Sequence, residues 1–169
     1  AALCSDGAHK TLPVLTGGAL LHSAGGFSAE ELKSAMALFG STSPSYLIMQ
    51  SLDKLADYLT GDASKDYACL VNRLEKIKEQ ARRKGLFVFE SEPCRISLGG
   101  VPKGFEGTLD DYLRAHKIEC DYAAGDTAVL LASPFNSEYE FSLLESAIDA
   151  FVPASPARQK SEFAVSQPQ

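Results

Sequence analysis

The chain has 169 residues, 45% of them hydrophobic and 22% charged, which suits a globular protein with one core, or one core and a subdomain. Its 16 Lys and Arg against 22 Asp and Glu leave a net charge of −6. The one dense basic cluster, Arg82-Arg83-Lys84, closes a predicted helix, where the helix dipole favours cations, so nucleic acid is not the expected partner. No apolar run approaches the roughly 20 residues that span a bilayer, and Ala1-Ala2-Leu3-Cys4 has no basic segment of a signal peptide. Cys4, Cys69, Cys94 and Cys120 are scattered, without metal-site spacing or a disulfide framework. A cytoplasmic protein with reduced thiols, no metal and no membrane contact is expected.

In chain order, Leu3-Cys4 reads as the tail of a strand entering a Ser/Asp/Gly loop. Gly18-Ala19-Leu20-Leu21-His22 reads as a second short strand. Ser28 with Glu31 forms a capping box for a helix whose apolar face is Leu32, Met36 and Phe39, stopped by Gly40. Ser43-Pro44 is a second N-cap with Pro at the first helical position. The helix over 44–59 carries Ile48, Leu52, Leu55 and Leu59 at helical spacing, widened by Leu47 and Met49, so burial is expected. Asp62 caps the longest helix, whose seam is Tyr67, Leu70, Val71, Leu74, Ile77 and Ala81, with Gly85 just past its end.

After residue 85 the pattern changes. Leu86-Phe87-Val88-Phe89 and Arg95-Ile96-Ser97-Leu98 read as strands, and Thr108 caps a helix over 109–117. Residues 118–122 and 127–132 form a hairpin about Gly125-Asp126. Ser137 starts a last helix with Phe141, Leu144, Ile148 and Phe151 inward. Pro153 and Pro156 mark the exit into a polar stretch. Because the chain opens inside a strand and ends in that stretch, a fragment of a longer protein is expected.

Three features carry chemistry. His9-Lys10 lies on a loop between strands, Gly17-Gly18 opens the following strand, and Ser41-Thr42-Ser43 precedes a helix start. A lysine that attacks a carbonyl must be partly deprotonated, which burial or nearby cations bring about. Gly7 and Ala8 are small enough to let a ring and a phosphate approach the backbone. Alone, His9-Lys10 is also compatible with a solvated surface dipeptide, and the serines with ordinary capping. Together, a lysine loop and a helix N-terminus ready for an anion suggest a phosphorylated cofactor.

The segment SDGAHKTLPVLTGGALLH, residues 5–22, resembles the cofactor-attachment segment of the ornithine/lysine/arginine decarboxylases, enzymes that use pyridoxal 5′-phosphate (PLP). LFGSTSPSYLIMQSLD, residues 38–53, is similar to that family's next segment, and IECDYAAGDTAVLLASPFNSEYEF, residues 118–141, resembles its small domain. The fold implied is α/β and α+β: the C-terminal part of a fold-type I (aspartate-aminotransferase-like) large domain, then a small α+β domain. The implied division is 1–60 for the end of the PLP-binding domain, 61–85 for a connecting helix, 86–153 for the small domain and 154–169 for a linker.

The resemblance implies that Lys10 forms the internal aldimine with PLP, that His9 lies beside the cofactor, and that Ser41, Thr42 and Ser43 reach a phosphate, across the interface of a homodimer or higher homo-oligomer. The implied substrate is a free amino acid of the arginine, lysine or ornithine type that loses CO2, with Lys10 or His9 as proton donor. Two positions depart from the family pattern: Gly7 stands where a serine is frequent, and Gly17 where a glutamine is. The acid that pairs with the pyridine nitrogen lies upstream of the lysine in this family, and Asp6 is too near along the loop to serve. The 169 residues alone are therefore expected to lack decarboxylase activity. Two other readings stay open: an aminotransferase of the same fold with Arg95 holding a substrate carboxylate, and a non-enzymatic assembly module.

Overall fold

A computed structural model describes residues 2–154, so most of the expected linker, from residue 155 on, lies outside the described residues. The chain divides into two units, Ala1–Lys65 and Asp66–Gln169.

In the first unit β1 (Leu3–Asp6) pairs antiparallel with β2 (Leu20–Ser23), Leu3 opposite Ser23 and Asp6 opposite Leu20. The helix α1 (Ala29–Ala37) starts on the expected capping box. Ser28 Oγ accepts the Glu31 N–H, and the Glu31 carboxylate accepts the Ser28 N–H at 2.8 Å. Its apolar face is a different matter. Met36 and Phe39 are exposed, Phe39 at 94%, and α1 buries no residue.

The helix α2 (Tyr46–Thr60) starts later than Ser43-Pro44 predicts. The Ser43 N–H is taken by Ser41 Oγ at 3.1 Å, so residues 41–43 fold into a turn of their own and Ser45 becomes the N-cap. Of the apolar stripe only Leu55 is buried, while Tyr46, Leu47, Met49 and Leu59 are exposed. The expected burial of α2 is therefore not found among the described residues.

The helix α3 (Ala63–Arg83) supplies Leu70, Leu74, Ile77 and Ala81 to the core of the second unit, as its spacing predicts. It ends in a Schellman motif. The Gly85 N–H reaches Arg82 O at 3.1 Å and the Leu86 N–H reaches Ala81 O at 3.0 Å, with Gly85 at φ +86°. Four antiparallel strands follow: β3 (Phe87–Phe89), β4 (Arg95–Gly99), β5 (Tyr122–Ala124) and β6 (Thr127–Leu131), in the order β3-β4-β6-β5. Register places Val88, Leu98 and Ala128 in one row and Ile96 and Leu130 in the next, all on the face turned to the core.

The helices α4 (Leu109–Ala115) and α5 (Glu138–Ala150) complete this core through Leu113, Phe141, Leu144 and Ile148. The Tyr112 hydroxyl donates to Ala147 O at 2.8 Å, joining the two helices through a buried bond. Side chains such as Leu74, Leu98 and Ile148, almost wholly removed from water, stabilise the unit by roughly 2 kcal/mol each. The hairpin forms about Gly125-Asp126, but its first strand begins at Tyr122 and not at Ile118. The Ile118 N–H instead closes the end of α4 on Leu113 O at 3.0 Å. Lys78 is buried yet ion-paired, its ammonium 2.8 Å from Glu75 on the same helix.

Candidate functional site

β1 delivers the chain into a 3-10 turn at Ala8–Lys10. The buried Ala8 seats the turn, and the Lys10 N–H closes it on Gly7 O at 2.9 Å. The His9 ring is held by one acceptor: Nδ1 donates to Gly18 O at 2.8 Å, and the His9 backbone N–H reaches the same oxygen at 3.3 Å. A carbonyl only accepts, so Nδ1 carries a proton and Nε2 is the ring atom left for other chemistry. Lys10 is exposed.

The stretch that returns to β2 rests on α2. The Leu15 N–H donates to Ser51 Oγ at 3.2 Å, and that hydroxyl donates to Ile48 O at 2.7 Å. Gly17 adopts φ +98°, and a Cβ there would lie 3.3 Å from Ile48 Cδ1. Any residue with a Cβ would be strained in this backbone conformation. A Cβ on Gly18 would overlap Val14 Cγ1, so the carbonyl that fixes His9 sits in a stretch closed to larger residues. At Gly7 a Cβ would lie 3.2 Å from Lys10 Cγ, so a serine would crowd the lysine stem.

His9 and Lys10 are thus brought together on one turn, and their loop is tied to the first two turns of α2. Ser41, Thr42 and Ser43 form an exposed turn just before that helix, and no described hydrogen bond joins them to His9 or Lys10. The start of α2 lacks a side-chain cap, whereas α1, α4 and α5 each begin with a complete capping box. Its first N–H groups are therefore not claimed by a neighbouring side chain. Sequence reasoning missed the part played by Gly18 O and Ser51, because a backbone acceptor and a bracing hydroxyl leave no pattern that spacing can reveal.

Asp6 pairs with His22 across the β1–β2 ladder at 3.1 Å. Arg95 lies on the inner strand β4, on the face away from the core, with Nε 3.4 Å from the Glu92 carboxylate at an angle that makes no hydrogen bond. Among the described residues no group of three or more His, Cys, Asp or Glu is placed to hold a metal ion, and no helix is long and apolar enough to cross a membrane. An amine and an oriented imidazole share the Ala8–Lys10 turn, while three hydroxylated side chains and the uncapped start of α2 lie on a separate turn.

No family model matches the chain, and no curated protein sequence does. Solved structures do. The chain is similar to the lysine decarboxylase LdcF of Francisella novicida, with a TM-score of 0.62 and 17% identity over 86% of this chain and 27% of that one. It is also similar to the constitutive lysine decarboxylase of E. coli, with a TM-score of 0.69 and 13% identity over 87% of this chain and 28% of that one. The chain thus spans between a quarter and a third of those proteins. At this identity the likeness is one of fold: a mixed helix and strand architecture of the kind found in these lysine decarboxylases.

Proposed function

We propose that the chain is the lysine-bearing part of a PLP-dependent amino-acid decarboxylase of the arginine, lysine and ornithine type. Residues 1–60 would end the large fold-type I domain, and residues 86–153 would form the small one. The observation that carries this reading is the Ala8–Lys10 turn, which sets Lys10 beside an imidazole fixed by Gly18 O within a fold similar to lysine decarboxylases. Lys10 is exposed among the described residues, so the burial such a lysine needs would have to come from further protein packed against this turn.

PLP would supply the electron sink for the carbanion left when CO2 departs. Lys10 would hold the cofactor through its Nζ, yield that position to the substrate amine and recover it on release. His9, with Nδ1 committed to Gly18, would act through Nε2, as acceptor when neutral and donor when protonated. Ser41, Thr42 and Ser43, with the uncapped start of α2, would bind the phosphate. A proton returned to the product carbon would come from Lys10 or His9.

The exposed Met36, Phe39, Tyr46, Leu47 and Met49 support a setting in which more protein, the rest of a longer chain or a second subunit, covers this surface. A homodimer whose interface includes the turn at 41–43 fits that setting. The test is turnover by the protein that contains this chain. CO2 release from lysine, arginine or ornithine that disappears in Lys10→Ala supports the reading. Formation of a keto acid without CO2 would favour the aminotransferase.

A further inference from the structure

We propose that Ser51 is a positioning residue for His9, setting through the turn at residues 15–18 which ring nitrogen of the imidazole carries the proton. Its consequence for catalysis rests on the decarboxylase reading above, while the geometry stands by itself. Ser51 lies inside α2, where a serine is a poorer helix former than alanine. Its hydroxyl engages two groups. It donates to Ile48 O on the same helix at 2.7 Å, and it accepts the Leu15 N–H, 36 residues away along the chain, at 3.2 Å.

From Leu15 the connection runs on to the imidazole. Leu15 O accepts the Gly18 N–H at 3.0 Å, and Gly18 O in turn accepts the His9 Nδ1–H at 2.8 Å. An unbroken series of hydrogen bonds thus leads from the backbone of α2 to the His9 ring. Leu15 and Gly18 each donate through one peptide unit and accept through the next, so the series fixes position and does not pass charge along. The turn is seated on the same stretch of helix. A Cβ on Gly17 would lie 3.3 Å from Ile48 Cδ1, and one on Gly18 would lie 3.6 Å from Leu52 Cδ2. Ile48, Ser51 and Leu52 share one face of α2 through their helical spacing.

His9 can accept a proton at Nε2 only while Nδ1 holds its own, and an imidazole with no fixed acceptor exchanges between the two neutral tautomers. Gly18 O imposes the Nδ1–H form, and Ser51 holds the turn that keeps Gly18 O within reach. Without that hydroxyl the Leu15 N–H loses its acceptor, and the turn is free to draw back from α2. The same helix provides a control. Thr60 Oγ1 donates back to Ala56 O at 3.0 Å or Asp57 O at 3.2 Å, a hydroxyl of the same kind with no described bond to the loop.

The test is long-range proton–nitrogen NMR of the full chain, isotopically labelled at the histidine nitrogens, at a pH where imidazoles are neutral. His9 is expected in the Nδ1–H form. So is His116, whose Nδ1 donates to Tyr112 O at 2.9 Å and which reports on the fold elsewhere. Ser51→Ala keeps α2, since alanine favours a helix. It should lower the His9 ratio of Nδ1–H to Nε2–H about fivefold, the equivalent of one net hydrogen bond, with His116 unchanged. Ser51→Thr, which restores a hydroxyl, should recover the parent ratio, and Thr60→Ala should keep it. An unchanged His9 ratio in Ser51→Ala, an equal change in Thr60→Ala, or a loss shared by His116 would overturn the proposal. Failure of PLP to label Lys10 is a separate result: it would remove the decarboxylase reading and leave the tautomer outcome as it stands.

Discussion

Two helices of the small unit end in the same hydrogen-bonded motif with opposite residue choices, and exchanging them gives a paired test of the backbone. Gly85→Ala puts a Cβ at φ +86° and 2.9 Å from Pro153 Cγ. The left-handed conformation costs an L-residue about 1–2 kcal/mol, the overlap with a ring about 1–3, and the reduced freedom of the unfolded chain returns about 0.5–1. The net loss is about 1–4 kcal/mol, a large part of the stability of a domain this size. Lys117→Gly runs the other way, at a φ of +64° in the same place after α4. Releasing a strain of about 1–2 kcal/mol outweighs the extra unfolded-state entropy of glycine, for a net gain of about 0.5–1 kcal/mol. Urea unfolding of the full chain, followed by far-UV circular dichroism, reads both as shifts in midpoint at constant slope. A neutral Gly85→Ala, or a Lys117→Gly that unfolds earlier than the parent, would refute the reasoning.

Further outcomes follow from the same contacts. Arg73 holds α3 to α5 through Glu138 at 2.6 Å and Glu145 at 3.4 Å while stacking 4.1 Å above Phe141. Arg73→Ala should cost about 1–2 kcal/mol by thermal unfolding, and Arg73→Lys should recover only part, since an ammonium cannot stack and fork together. Burial, with the Asp110 carboxylate as its hydrogen-bond partner, pushes the Cys120 thiol up to about 12. Iodoacetamide at mildly alkaline pH should therefore alkylate the exposed Cys69 well before Cys120, and equal rates in the folded protein, read by peptide mass, would contradict the structure.

The capping carboxylates Glu31, Asp111 and Glu140 are held below their ordinary range, chiefly by backbone N–H donors of Ser28, Thr108 and Ser137. A carboxylate with a lowered folded pKa adds stability above its unfolded value, and that stability is lost as pH falls through the folded one. Midpoints should thus drop as pH falls below about 4, and the triple variant Glu31→Gln, Asp111→Asn, Glu140→Gln should show a flatter acid limb.

What could be read from the sequence was mostly local. The capping box at Ser28 and Glu31 involves residues three apart, and the seam of α3 follows from a single helical period, so neither needs knowledge of what lies around it. The late start of α2 goes with the local turn in which Ser41 Oγ accepts the Ser43 N–H, and a run of serines does not say which of them will precede the helix. Burial of α2 failed as an expectation because amphipathic spacing says which face seeks cover, not whether the cover belongs to the same 169 residues. Lys10 and His9 were legible as a motif. The acceptor that orients His9 was not, because it is a main-chain oxygen nine residues away that any sequence would provide.

The most direct test of the central claim is covalent. The protein containing this chain is incubated with PLP at equimolar concentration, reduced with borohydride and mapped by peptide mass. The account predicts a stoichiometric phosphopyridoxyl label on Lys10 that is lost in Lys10→Ala. A label that persists unchanged in that variant, or spreads evenly over the surface lysines, would contradict it.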